Sequence, residues 1–189
     1  MDWLTDIDRS LLFFINQTCN NTLFDVVMPW IREKKTWIPA YVLLTSWIIY
    51  RHRHKSWMIV LLIVCAVALS DQVASGLFKP LFHRLRPCAA PGIREHLQLL
   101  IPCGGGYSFF SSHAATHSCL SFLLIYLMKP VKLLSALFVL WAFLICLAQV
   151  YVAYHYPSDV FCGALCGVLI AYLLAYIASH YFLKLQPAS

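Results

Sequence analysis

Five long apolar runs, separated by short polar turns, constrain this chain more than any other feature. They cover residues 36–50, 56–78, 112–128, 131–151 and 159–183. A helix that crosses the roughly 30 Å hydrocarbon core of a bilayer needs about 20 mostly apolar residues. Most of the runs reach that length, and the first, which is short, can extend over its polar neighbours. Charged residues make up only 12% of the chain, against about a quarter in soluble domains. Too few charges remain to cover a water-facing surface, so lipid is the expected main solvent. Six Trp and 15% aromatic residues suit anchoring at membrane interfaces. The net charge of +6 is scattered among apolar stretches and forms no stripe, which argues against nucleic acid as a partner.

The fold expected from this pattern is all-α: a transmembrane helical bundle of five or six spans. It forms a single domain over 1–189, with a helical core at 36–183. Two amphipathic segments, 6–16 and 22–33, precede the core within residues 1–35. Each is too short to span, and the second is interrupted by Pro29. They read as interfacial helices, the alternative being a sixth span built from part of this region. Residues 1–10 are acidic and polar, unlike the basic-then-apolar start of a cleavable signal peptide. No internal repeat is evident.

Orientation follows from Lys and Arg in the turns. The side that holds the turns 51–55 and 129–132, together with Lys184, carries six basic residues and no acidic ones. The opposite side holds eight, four of which (Lys79, Arg84, Arg86, Arg94) fall in one long polar loop. Setting those four aside as candidate site residues places the 51–55 turn in the cytoplasm and the long loop outside. The localisation expected is a bacterial inner membrane, with the site facing the periplasm or exterior. Most of the eight Cys lie inside apolar runs and read as small core residues. Cys88 and Cys103 lie in the long loop, where an oxidising compartment would permit a disulfide.

Three clusters at the outward ends of the spans bear chemistry. Lys79 and Arg86-Pro87 bracket a short basic segment, with a point charge and a planar fork for an anion. Ser111-Ser112-His113 opens an apolar run, so the serines read as a helix N-cap whose free N–H groups make a backbone anion seat. His155 and Asp159 lie between two spans, a spacing that lets a carboxylate orient an imidazole. Taken singly, each is equally well a solvated loop, a capped helix or an interfacial histidine. His113 and His117 also have metal-ligand spacing, but the Glu of the zinc-protease helix motif is missing. Alternation of the spans puts all three clusters on one membrane face. Together they form the parts for phosphoryl transfer through a phosphohistidine.

These residues resemble the type 2 phosphatidic acid phosphatase superfamily. Its first motif, Lys, six residues, Arg-Pro, is matched by Lys79 and Arg86-Pro87. Its Pro-Ser-Gly-His motif reads Phe110-Ser111-Ser112-His113 here. Its third, Ser-Arg, five residues, His, three residues, Asp, reads Ala148-Gln149, His155 and Asp159. The resemblance implies His155 as nucleophile, Asp159 as its orienting carboxylate and His113 as general acid. It implies Lys79, Arg86, Ser111 and the backbone at Ser112 as the phosphate clamp. No metal or other cofactor is implied. Gln149 replaces a phosphate-binding Arg; it keeps a hydrogen bond and loses a charge, for which Arg84 or Arg94 is a candidate replacement. The function expected is a membrane lipid phosphatase acting on a lipid phosphate or diphosphate, undecaprenyl diphosphate favoured. A lipid phosphotransferase and a non-catalytic lipid-phosphate-binding or transport protein are the alternatives.

Overall fold

The computed structural model describes residues 2–180, and every regular element among them is helical. Helices α1 (Asp2–Phe13) and α2 (Thr22–Arg32) precede α3 (Ile38–His52) and α4 (Ser56–Gln72). A π-helical stretch, Val73–Phe78, and the short α5 (Lys79–Phe82) follow α4 directly. The long loop then leads to α6 (Ser112–Met128), α7 (Lys132–Tyr151) and α8 (Pro157–Ala178). The apolar runs thus become helices nearly where hydropathy places them. The last run, read to residue 183, is helical as far as position 180, α8 ending at Ala178 and a π-helical turn covering 179–180; the positions beyond 180, Lys184 included, lie outside the described residues.

By length and composition, three segments can cross a membrane: Lys34–Ala89, Lys132–Tyr151 and Pro157–Ala178. The first of these contains both α3 and α4. The protein is therefore an integral membrane protein. At 17 residues α6 is shorter, and it is the central helix, with His117, Cys119, Leu123 and Leu124 all buried. A helix enclosed by other helices can carry Ser, Thr and His that a lipid-facing helix could not. Those residues interrupt its apolar character without exposing polar groups to hydrocarbon.

One N-terminal expectation changes. Pro29 does not interrupt α2, which runs through it to Arg32. Proline near the C-terminal end of a short helix removes one backbone hydrogen bond and leaves the following turn intact. The N-terminal segments are tied to the core by polar contacts. Asn16 is buried, and its amide donates to the carbonyls of Gln98 (3.0 Å) and Tyr151 (2.8 Å). The Tyr151 hydroxyl donates to Asp25 of α2 at 2.6 Å. These polar ties bind the segments to the long loop and the end of α7, while Trp3, Leu23 and Trp30 remain exposed on their apolar faces.

The closest helix approach sets the site's frame. A Cβ built on Gly167 would lie 2.1 Å from the Ala115 carbonyl oxygen, and one on Gly163 2.5 Å from that of Ser111. Gly163 and Gly167 thus form a small-residue ridge that lets α8 touch the backbone of α6, as in membrane helix pairs. Gly167→Ala would ordinarily favour a helix. Here it should destabilise by about 1–3 kcal/mol through overpacking. Thermal unfolding in detergent should show a lower midpoint than wild type, whereas Gly105→Ala, whose Cβ meets nothing within 4 Å, should leave the midpoint in place.

Candidate active site

The turn between α7 and α8 buries His155 almost completely, and Asp159 lies one helical turn further on, in the first turn of α8. One Asp159 oxygen, Oδ2, lies 3.6 Å from His155 Nδ1 and accepts the Tyr156 N–H at 2.9 Å. The Ser108 hydroxyl donates to the same oxygen and lies 3.3 Å from Nδ1. With a carboxylate and an acceptor hydroxyl facing Nδ1, the ring carries its proton there and leaves the Nε2 lone pair free. Arg86 Nη1 lies 3.2 Å from that Nε2.

The other carboxylate oxygen of Asp159 is held by Arg84 at 2.6 Å. Arg84 also donates to Asp8 of α1 at 2.5 Å and to Ser158 at 2.8 Å, and its guanidinium lies 3.8 Å from the Tyr156 ring centroid. Asp8 in turn accepts from the Ser158 N–H at 2.8 Å and the Ser158 hydroxyl at 2.6 Å. The expectation that Arg84 compensates for Gln149 therefore needs correction. Its donors are committed to two carboxylates, because a buried Asp159 requires a cation close by. Arg94 is exposed in the turn Arg94–His96 and joins none of these contacts.

The anion side of the site is assembled from three elements. Buried Arg86 lies beside the Tyr154 and Gly105 carbonyls. Lys79, at the start of α5, donates to the Ser112 hydroxyl at 3.1 Å. Ser111 caps α6: its hydroxyl accepts from the Ala114 N–H at 3.3 Å, and its own N–H donates to the Asp159 carbonyl at 3.0 Å. The first-turn N–H groups of Ser112 and His113 have no intrahelical carbonyl to bind. His113 is half-buried at this end. Gln149 is fully buried near the end of α7, and its backbone carbonyl accepts from the N–H groups of Tyr154 and His155.

His117 stacks parallel to His113 with centroids 6.3 Å apart, and its ring nitrogens are otherwise engaged. Nδ1 lies 2.8 Å from the His113 carbonyl and Nε2 2.9 Å from the Tyr41 hydroxyl. His117 is thus a packing residue between α6 and α3. Beside it opens a cavity of about 530 Å³, with Lys34, Asp71 and His117 among its lining and Leu44, Ile48 and Val60 making it apolar. A disulfide joins Cys88 to Cys103 with a Cα–Cα distance of 5.7 Å. It ties the segment after Arg86 to the glycines that lie beside Tyr154.

Asp8, Ser108, Tyr154 and Arg32 were not legible as site residues. None is a specified position of a motif: Asp8, Ser108 and Arg32 reach the site through contacts distant in sequence, and Tyr154 fills an unspecified position just before His155.

The environment of His155 makes a testable statement about charge. Burial, with Arg86 and Lys79 nearby, lowers its pKa from 6.5 to about 4, and Asp159 works in the opposite direction. The neutral ring thus persists well below the usual histidine range. In the unfolded chain it would take up a proton near 6.5, so its contribution to stability is present above that pH and is lost as pH falls from 6.5 towards 4. Histidine-labelled NMR should show His155 as the Nδ1–H tautomer down to about pH 4; titration near 6.5 would contradict this geometry.

The model of the PAP2 superfamily matches residues 56–182. A lipid A 4'-phosphatase of Bacteroides thetaiotaomicron is 33% identical over 98% of this chain and 83% of its own length. A lipid A 4'-phosphatase of Porphyromonas gingivalis is 22% identical over 86% of this chain and 69% of its own. Among solved structures, a PAP2-type phosphatidylglycerolphosphate phosphatase of Bacillus subtilis superposes with a TM-score of 0.72 at 18% identity, covering 96% of this chain and 89% of that one. Aquifex aeolicus LpxE superposes with a TM-score of 0.68 at 24% identity, covering 88% and 93%. At such identities the structural likenesses speak for the fold, and the family match with the Bacteroides relative speaks for descent. This chain belongs to the PAP2 superfamily, as a membrane lipid phosphatase.

Proposed function

We propose that the protein removes a phosphate monoester from a saccharolipid of the lipid A type, through a phosphohistidine on His155. The observation that carries this reading is the pairing of the Asp159-oriented His155 with a seat made by Arg86, Lys79 and the start of α6. The substrate class is supported by the similarity to the Bacteroides protein along almost the whole chain. Undecaprenyl diphosphate was the finer expectation from the sequence, but it rested on chain size and site orientation. Neither property distinguishes one lipid headgroup from another.

In the first step Nε2 of His155 attacks phosphorus, the P–N bond forms, and the ester P–O bond breaks. His113 donates a proton to the departing oxygen, so the lipid leaves as an alcohol. As the phosphate arrives, its oxygens take over the Arg86 N–H that otherwise faces Nε2. Lys79 and the N–H groups of Ser112 and His113 stabilise charge on the equatorial oxygens. Ser111 shapes this seat by capping the helix, and Ser112 also positions Lys79. In the second step His113 takes a proton from water, which attacks phosphorus and breaks the P–N bond to release inorganic phosphate. The apolar cavity beside His117 is suited to lipid tails while the headgroup is at the site. A phosphotransferase would differ only in using another lipid hydroxyl in place of that water.

Purified protein in detergent, offered lipid A, phosphatidic acid, phosphatidylglycerol phosphate and undecaprenyl diphosphate, should release phosphate fastest from lipid A. His155→Ala should release at least a thousandfold less, as expected when a covalent nucleophile is removed. Faster turnover of undecaprenyl diphosphate would reject the substrate class, and unchanged release by His155→Ala would reject the mechanism.

The outward location of the site is part of the same proposal. A disulfide in the loop that carries Arg86 agrees with an oxidising compartment, since thiols stay reduced in the cytosol. Alkylation of protein from freshly quenched cells, followed by mass spectrometry, should find Cys88 and Cys103 protected until reduction. If both are alkylated at once, the site faces the cytoplasm.

A further inference from the structure

A completely buried polar side chain in this site has no partner. Neither Oε1 nor Nε2 of Gln149 makes a hydrogen bond. A buried amide in that condition is unfavourable unless a ligand or water meets it. It stands where the family motif has a charged phosphate donor, so an unmet neutral amide occupies the position of a cation.

The cations nearby can be sorted by what already holds them. Arg84 is bound to Asp8, Ser158 and Asp159, and Arg94 is exposed. Lys34 lies 4.0 Å from Asp71 and is about half exposed. Arg32 differs from all three. It is the last residue of α2, and its guanidinium carbon lies 4.4 Å from the centroid of the Tyr154 ring. Arg86 lies 3.9 Å from the same centroid. The Nε of Arg32 is buried and has no hydrogen-bond partner. Two guanidinium groups on one ring repel each other, and an anion bound to both relieves that repulsion. Arg32 is also close enough to act electrostatically on His113 and Arg86.

Tyr154 is fixed as a platform from below. A Cβ on Gly104 would lie 1.8 Å from the Tyr154 hydroxyl, so only glycine there leaves space for the phenol. The ring is adjacent in sequence to His155, and its carbonyl lies 3.3 Å from Arg86 Nη1. A guanidinium held on this ring is therefore held beside the candidate nucleophile.

We propose that Arg32 supplies the charged phosphate contact that Gln149 cannot, with Tyr154 holding it against the oxyanion that Arg86 also binds. Gln149 then contributes a neutral hydrogen bond to the same anion. The assignment makes α2 part of the phosphate site, and it rests on the phosphatase reading above.

The test uses orthovanadate, a phosphate-shaped oxyanion, and the full-length protein in detergent. Its binding is measured by calorimetry, alongside kcat and KM for release of phosphate from lipid A. Arg32→Gln should weaken orthovanadate binding about tenfold, because a charge-assisted hydrogen bond is roughly twice as strong as a neutral one. Arg32→Lys should bind more tightly than Arg32→Gln. The double variant Arg32→Gln with Gln149→Arg, which returns the cation to the other position, should recover most of the loss, an outcome that a packing role for Arg32 would not produce. Thermal unfolding of each variant identifies losses that come from misfolding, and Arg32→Lys keeps the charge test available if Arg32→Gln is unstable. Orthovanadate affinity for folded Arg32→Gln within twofold of wild type would overturn the assignment. Wild type that binds no orthovanadate would instead overturn the phosphatase reading beneath it.

Discussion

The Asp159 carboxylate is the point on which the loop-bearing half of the molecule depends. A buried carboxylate is costly unless each oxygen is met by donors or a cation. Oδ2 is met by the Tyr156 N–H and the Ser108 hydroxyl and faces His155, while Oδ1 is met by Arg84. Those partners come from the turn before α8 and from the long loop, and Arg84 extends the network to Asp8 of α1. A single ionised group thus joins the N-terminal helix, the loop and the last helix, and it orients the imidazole in the same act. The basic loop residues divide into two tasks. Arg84 neutralises the protein's own carboxylate, which leaves Arg86 and Lys79 as the cations for the phosphate of the proposed reaction.

That network works only if α6 and α8 start beside each other. Gly163 and Gly167 allow it by removing the side chains that would separate the two backbones. The start of α6, with its free N–H groups, then lies against the first turn of α8, and the Ser111 N–H reaches the Asp159 carbonyl. In a membrane, where burial of apolar surface between helices gains little, such close packing is the main source of association. The same contact therefore contributes both the stability of the bundle and the distance between the anion seat and His155.

Much of this was legible from the residues alone. The spans were visible because hydrocarbon demands long apolar helices, and α4, α6 and α7 fall close to the runs read from hydropathy. The cluster of His155, Asp159, His113, Lys79 and Arg86 was visible because three motifs have fixed spacings and span alternation assigns them one face. The close approach of α8 to α6 at Gly163 and Gly167 emerged only from the structure. Asp8, Ser108 and Arg32 could not be placed, since each joins the site across a large sequence separation and has no local pattern to mark it.

By itself the sequence determined an all-helical membrane protein and its family, and it singled out the candidate residues for phosphoryl chemistry. These follow from hydropathy, charge and spacing, which are properties of position along a chain. Only the tertiary structure decided what each cation is for. It committed Arg84 to Asp8 and Asp159, left Arg94 at the surface, and brought Arg32 from α2 to the ring that carries Arg86. Electrostatic partnership acts over a few ångströms in space, and a folded chain sets those distances between residues that a sequence leaves far apart.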